Sequence, residues 1–207
     1  MSDFNEQENF WKGSFGNEYC KRNSDQQLLA NSQKLFRLLL NNYPQVDSIL
    51  EFGANVGVNL DAINNLYPQK QLSAIEINPT AAEILRNKDY EIEVFENSIL
   101  KFETNKKWNL TFTRGVLIHI SPLDLEIVYN KLYELSDEFI AVCEYYNTYP
   151  TEVEYRGHKN KLFKRDFAGD LLNKFSDLEL VDYGFLYNKD KENPDDDISW
   201  FLLRKIK

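Results

Sequence analysis

The fold of this chain is decided by residues 48–60, which read SILEFGANVGVNL. Their apolar start predicts a short buried strand, and Gly53 to Gly57 predict a tight loop. A helix is predicted from Asn59 onward, because apolar residues recur at helical spacing at Leu60, Ile63 and Leu66. The stretch is therefore a strand, a glycine loop and a helix.

In an open parallel sheet, the carboxyl end of the first strand is where a nucleotide-like ligand binds. Glycines let the backbone turn sharply and approach such a ligand closely, and the helix offers free N–H groups to it. Gly53 and Gly57 alone could equally complete an ordinary strand-to-helix turn. A second feature at matched spacing is needed to decide between these interpretations.

Glu76 supplies that second feature. Residues 72–77 predict the second strand, and Glu76 lies about 20 residues beyond the glycine loop, where nucleotide-binding folds place a carboxylate. A carboxylate can accept both ribose hydroxyls at once. The spacing therefore favours a ligand that contains a ribose.

The glycine pattern also bears on which nucleotide is bound. A dinucleotide loop would read G-x-G-x-x-G, but here Asn55 and Val58 occupy the second and third glycine positions. The stretch resembles motif I of the class I S-adenosylmethionine-dependent methyltransferases, an acidic residue followed by three alternating glycines. Glu51, Gly53 and Gly57 match that motif, and Asn55 stands at its middle glycine.

Size and composition indicate one globular domain. The chain has 207 residues, of which 43% are hydrophobic and 14% aromatic, well outside the disordered class. We predict an α/β, Rossmann-like, doubly wound and mostly parallel seven-stranded sheet that ends in an antiparallel hairpin. Residues 1–23 would form an N-terminal arm or lid, and residues 24–207 the catalytic core.

Charge and targeting features narrow the function classes. The net charge of −9 and pI near 4.9 argue against nucleic acid or an anionic membrane as the main partner. The sequence begins without a basic leader and has no apolar stretch long enough to span a bilayer. Cys20 and Cys143 lack metal or redox spacing, so we expect a cytoplasmic protein with reduced cysteines and no metal site.

Several local patterns predict where elements begin. Residues 10–19 combine aromatics with glycines and either pack on the domain or close over a ligand. Ser24 to Gln27 predict a capping box for the following helix. Asn78-Pro79 and Ser121-Pro122 each predict a cap followed by a first-turn proline, the second opening a helix that buries Ile127.

The second half predicts a buried strand followed by a long loop. Residues 139–143 are continuously apolar, as in a central parallel strand, and a long polar loop with Arg156 and His158 follows. Two final strands would be joined by a solvated tip at Asp195, Asp196 and Asp197.

Within class I, further segments resemble the pseudaminic acid biosynthesis-associated methylases. The matching segments are residues 10–19, 51–60, 115–122, 144–147 and 155–158. The resemblance implies transfer of a methyl group from S-adenosylmethionine to an oxygen or nitrogen of a sugar-like small molecule. It implies cofactor contacts by Tyr19, Arg22, Glu51, Gly53, Asn55, Gly57, Glu76, Ile77, Asn97, Ser98 and Gly115.

The acceptor must lose a proton near the transition state, so a base is expected. His119 and His158 are the only histidines, and histidine is the natural base near neutral pH. Glu144 is a third catalytic candidate, while Tyr145, Tyr146 and Arg156 would bind the acceptor. A histidine base predicts that activity rises through a pKa near 6 to 7.

Two other functions fit the same sheet. A nicotinamide-dependent oxidoreductase would need the third glycine at dinucleotide spacing and a substrate domain, neither of which the sequence offers. A catalytically silent cofactor-binding regulatory protein would keep the fold and the pocket. Formation of a methylated product separates the methyltransferase from both.

Overall fold

A computed structural model describes residues 4–22 and 26–206. In chain order the elements are α1 Glu6–Lys12, α2 Ser14–Cys20, α3 Gln26–Leu40, β1 Ser48–Phe52, α4 Val58–Leu66, β2 Gln71–Glu76, α5 Pro79–Arg86, β3 Ile92–Glu96, β4 Trp108–Arg114, α6 Leu125–Leu135, β5 Ser136–Glu144, β6 Thr151–Tyr155, β7 His158–Lys164, α7 Phe167–Lys174, β8 Leu178–Leu186 and β9 Ile198–Lys205. A 3-10 turn spans Leu117–His119.

Seven strands form one sheet, ordered β3-β2-β1-β4-β5-β9-β8. The predicted Rossmann-like α/β sheet, mostly parallel and ending in an antiparallel hairpin, is confirmed. The chain divides into two compact units, Met1–Glu103 and Thr104–Lys207. The single-domain assignment of residues 1–207 stays a prediction.

The first unit contains the strand, glycine loop and helix from which the fold was predicted. β1 runs parallel to β2, and β2 runs parallel to β3. Every residue of β1 after Ser48 is buried, as expected of a strand covered on both faces. Asn78 caps α5 by accepting the Ala81 N–H at 3.0 Å, with Pro79 at the first helical position, so this predicted helix start is confirmed.

The second unit contains the antiparallel end of the sheet. β4 and β5 are parallel, while β9 is antiparallel to both β5 and β8. The apolar run at residues 139–143 is buried within β5. Among residues 4–22 and 26–206, no helix is long and apolar enough to cross a membrane.

The long loop predicted after β5 is wrong in its main part. β6 and β7 form a separate antiparallel two-stranded sheet, joined by Arg156 and Gly157. Both turn residues have positive φ, 49° and 81°, as a two-residue hairpin turn of type I′ requires. We call residues 151–164 the β6–β7 hairpin.

One predicted helix start needs correction. Within the stretch predicted as an N-terminal arm or lid, Glu6–Lys12 and Ser14–Cys20 form α1 and α2, which we call the N-terminal helices. The helix expected at Ser121-Pro122 begins only at Leu125, after a turn, and its Ile127 is 42% exposed. The capping box proposed at Ser24 and Asp25 lies outside the described residues.

The predicted solvated tip at Asp195 to Asp197 is wrong for its first residue. Asp195 is buried and accepts a hydrogen bond from the Arg114 guanidinium at 2.7 Å. A buried charge is stable only when it is paired in this way. Asp195 therefore joins the connection between β8 and β9 to the end of β4.

Candidate functional site

The glycine loop turns through three residues with left-handed backbone angles. Gly53, Asn55 and Gly57 have φ values of 71°, 49° and 82°. Asparagine tolerates this region better than most residues, which explains Asn55 in place of a glycine. A Cβ at Gly57 would also come within 2.5 Å of the end of the Leu85 side chain, which would have to shift to make room for it.

Glu76 binds the loop from the end of β2. Its Oε2 accepts the Asn55 N–H at 2.7 Å, and its Oε1 accepts the Asn78 N–H at 2.7 Å. Burial raises the pKa of Glu76 above its usual range, while the N–H groups of Asn78 and Asn55 act in the opposite direction. One carboxylate thus fixes the middle of the glycine loop and the start of α5.

We expect Glu76→Ala to weaken S-adenosylhomocysteine binding by roughly 10- to 100-fold, the effect of losing a charge-assisted hydrogen bond. It should also lower the free energy of unfolding by about 1–3 kcal/mol for each N–H left without an acceptor. Calorimetry and urea unfolding measure the two effects.

Glu96→Ala is the matched control. Glu96 occupies the paired position at the end of β3, where it forms an exposed ion pair with Arg86. Exposed pairs contribute little, so this variant should resemble the unmodified chain in both measurements. Equal cofactor affinity in the two variants would contradict a ribose contact by Glu76.

Glu51 lies in β1, directly before the glycine loop. It is buried, and its Oε1 accepts a hydrogen bond from the Asn59 side chain at 2.6 Å. Asn59 in turn accepts the Ser32 hydroxyl at 3.0 Å. This chain of contacts fixes α3 and α4 against β1, a role that the sequence motif did not reveal.

The N-terminal helices pack directly on this loop region. The Asn78 amide donates to Asn17 Oδ1 at 2.8 Å and to the Trp11 carbonyl at 3.1 Å. A Cβ at Gly16 would lie 1.8 Å from the Trp11 carbonyl oxygen, so this glycine permits close packing. The Asn55 amide lies 3.9 Å from Cys20 Sγ, and burial raises the pKa of that thiol.

The remaining cofactor candidates of the first unit differ in exposure. Ser98 is buried, and its Oγ contacts a carboxylate oxygen of Glu8, a residue that sequence reasoning missed. Asn97 is exposed, and its N–H donates to the Glu76 carbonyl oxygen at 3.0 Å. Other candidates are the partly buried Tyr19 and Ile77 and the exposed Arg22.

In the second unit, Glu144 binds the turn that follows β4. Its Oε1 accepts the N–H groups of Val116 and Leu117 at 3.0 and 3.1 Å, and Oε2 accepts that of Ile118 at 3.4 Å. Burial raises the pKa of Glu144 to about 7, although the three N–H groups lower it. Glu144 therefore holds the backbone that leads from Gly115 to His119.

His119 lies at the end of that turn and is buried. Its Nδ1 is 2.6 Å from the Lys161 carbonyl oxygen, which can only accept, so the neutral imidazole carries its proton on Nδ1. The lone pair is then on Nε2. Burial lowers the pKa of His119 to about 4, so the imidazole is neutral at pH 7.

The β6–β7 hairpin supplies the surroundings of His119. The Tyr155 ring lies 4.8 Å from the imidazole, and Lys161 is itself buried. His158 and Arg156 are exposed at the hairpin end. The structure thus separates the two histidines that the sequence left as alternative bases.

The acceptor candidates Tyr145 and Tyr146 follow β5. The Lys164 ammonium lies 4.9 Å from the centre of the Tyr145 ring, and Tyr146 is 43% exposed. Cys20 and Cys143 are buried and form no disulfide with each other. Within residues 4–22 and 26–206, no cluster of three His, Cys, Asp or Glu side chains could hold a metal ion.

Comparisons place this architecture among known folds. No family model and no curated protein sequence matches the chain. Solved structures do match, including the plantazolicin methyltransferase BpumL in complex with S-adenosylhomocysteine, with a TM-score of 0.68 and 13% identity over 97% of this chain and 94% of that one.

Two further matches are also methyltransferases by name. The N-methyltransferase NodS from Bradyrhizobium japonicum WM9 has a TM-score of 0.65 and 16% identity over 90% of this chain and 91% of that one. Magnesium protoporphyrin IX methyltransferase from Synechocystis PCC 6803 has a TM-score of 0.69 and 8% identity over 99% and 100%. The chain has the Rossmann-like fold of these S-adenosylmethionine-dependent methyltransferases.

Proposed function

We propose that this chain is an S-adenosylmethionine-dependent methyltransferase that acts on an oxygen or nitrogen of a sugar-like small molecule. The observation that carries the proposal is the left-handed loop at Gly53, Asn55 and Gly57 with the Glu76 carboxylate beside it. Carboxylate oxygens suit ribose hydroxyls, and an unobstructed loop backbone suits the methionine portion. The residues present therefore fit this cofactor.

The proposal assigns different tasks to the two units. Gly53, Asn55, Gly57, Glu76 and Ser98 would hold S-adenosylmethionine, which supplies an electrophilic sulfonium methyl group when bound. His119 would take the acceptor proton on Nε2, because its Nδ1 proton is held at the Lys161 carbonyl. Glu144 would position the turn that carries this histidine.

The sugar-like acceptor is supported by the sequence resemblance to pseudaminic acid biosynthesis-associated methylases, and we propose a role in that pathway or in related surface-glycan synthesis. Exposed polar and aromatic side chains at Tyr146 and Arg156 suit a hydroxylated small molecule. The names of the structural neighbours include plantazolicin and magnesium protoporphyrin IX, so the acceptor class rests on this resemblance.

The test is incubation with S-adenosylmethionine and a panel of free and nucleotide-linked amino sugars, followed by mass spectrometry. We expect S-adenosylhomocysteine together with a methylated sugar. Cofactor binding without turnover of any acceptor would favour the regulatory protein instead. Failure to bind S-adenosylhomocysteine in calorimetry would contradict the methyltransferase assignment.

A further inference from the structure

The N-terminal helices bring a buried carboxylate to the end of β3. Within α1, Glu8 is the one buried residue, whereas Glu6 in the same helical turn is exposed. Burying a carboxylate is costly unless it is hydrogen-bonded. Glu8 meets this requirement through the Ser98 hydroxyl and through the Asn5 N–H at 2.6 Å.

The strand order indicates what lies beside this carboxylate. β1, β2 and β3 are neighbours, with the glycine loop after β1, Glu76 at the end of β2, and Ser98 two residues beyond β3. A nucleoside whose ribose meets Glu76 extends its base toward the next strand of the sheet. That strand is β3, so the base would lie beside Ser98.

We propose that Glu8, carried by the N-terminal helices, recognises the exocyclic amino group of the cofactor's adenine. This inference rests on the proposed function. Asn97 and Ser98 are neutral, whereas an amino group is matched best by an acceptor that cannot donate. An ionised carboxylate accepts about four hydrogen bonds, so the contacts with Ser98 and Asn5 leave capacity for the base.

A structural interpretation of the same contact must be separated from recognition. Glu8 also completes a capping box with Asn5, and its contact with Ser98 could simply anchor α1. An anchor would affect all ligands of the site equally. A base contact would affect only a ligand that carries the amino group.

The experiment is therefore a comparison of two probes by calorimetry, S-adenosylhomocysteine and its 6-deamino analogue, in which hydrogen replaces the amino group. The unmodified chain should prefer S-adenosylhomocysteine by on the order of 10-fold or more. In Glu8→Ala this preference should fall to within about 3-fold, because any uniform loss from a loosened helix cancels in the ratio.

Two further variants complete the design. Glu8→Gln keeps the capping box, since glutamine also suits that position, and should show a reduced preference with an unchanged fold. Glu6→Ala, on the exposed side of α1, should keep the full preference. An undiminished preference in folded Glu8→Gln and Glu8→Ala would overturn the inference while leaving the proposed function intact. Absence of any binding by the unmodified chain would overturn both.

Discussion

Replacing His119 with glutamine is expected to lower kcat by on the order of 100-fold or more, with cofactor affinity nearly unchanged. Glutamine keeps polarity but offers no titratable base. The measurement is kcat on the acceptor that the mass-spectrometric screen identifies, with S-adenosylhomocysteine affinity measured separately.

His158→Gln is the control, because His158 is exposed at the end of the β6–β7 hairpin and should retain kcat. Loss of activity in this variant alone would reverse the two roles. If both variants keep full kcat while chemistry limits the rate, proximity and orientation carry the reaction.

The buried environment of His119 changes the pH dependence expected from sequence. A free histidine would make kcat rise through pH 6 to 7, but burial lowers the pKa of His119 to about 4. The lone pair on Nε2 is therefore available throughout the range from pH 5 to 8. We therefore expect protonation of His119 to lower kcat only near pH 4. Measurement of kcat as a function of pH tests this expectation.

The same pKa shift has a consequence for stability. Between pH 4 and 6.5 the unfolded chain binds more protons at His119 than the folded chain does. The contribution of His119 to the free energy of unfolding is therefore complete above pH 6.5 and is lost as the pH falls toward 4. Glu144, whose pKa is raised to about 7, has the opposite dependence between pH 4.5 and 7. The two effects partly cancel in the unmodified protein.

His119→Gln removes one of these opposing contributions. At each pH, the free energy of unfolding of the unmodified chain is subtracted from that of the variant. This difference should be about 2 kcal/mol larger at pH 5 than at pH 7. Urea unfolding of both proteins at the two pH values measures this difference. A difference that does not depend on pH would mean that His119 has an ordinary pKa in the folded state.

Deletion of residues 1–19 is expected to lower kcat/KM by on the order of 100-fold or more while the sheet still forms. All strands of the sheet lie after residue 47, so none is lost. The deletion removes the Glu8 contact with Ser98 and the Asn17 contact with Asn78, and it opens the glycine loop to water. Circular dichroism and cofactor calorimetry accompany the assay.

Gly16→Ala tests the same point without shortening the chain. Its Cβ would clash with the Trp11 carbonyl oxygen and should displace α2 from α1 and Asn78. Glu18→Ala, which removes an exposed ion pair between α2 and its C-cap residue Lys21, should behave like the unmodified chain. Normal turnover by the deletion variant would contradict a role of these helices in the site.

Sequence patterns predicted the sheet well because its strands are locally distinct. β5 is continuously apolar, and Asn78-Pro79 is an unambiguous helix start. The β6–β7 hairpin was missed although Thr151, Val153 and Tyr155 alternate with glutamates as in a strand, because the run is short, charged and largely exposed. Gly157, in the two-residue turn, was a second local signal.

Other misses depended on contacts between distant residues. Asp195 is buried through Arg114, which lies 81 positions earlier in the chain. The tautomer of His119 depends on the Lys161 carbonyl, 42 positions later in the chain, and Glu8 meets Ser98 across 90 positions. No local spacing could reveal these partners. Sequence placed the candidate residues near strand ends, but burial and pairing determine what each can do.

The hydrogen-bond acceptor that fixes the His119 tautomer is the main-chain carbonyl of residue 161, a group that every amino acid at this position would provide. Natural drift can therefore change the side chains of the β6–β7 hairpin without changing which imidazole nitrogen carries the proton. The proton-accepting group and the surface around it become separable in evolution. Such an arrangement would let relatives change the substrate that accepts the methyl group by altering exposed positions such as 156, 158 and 159. The histidine proposed as the base would stay the same.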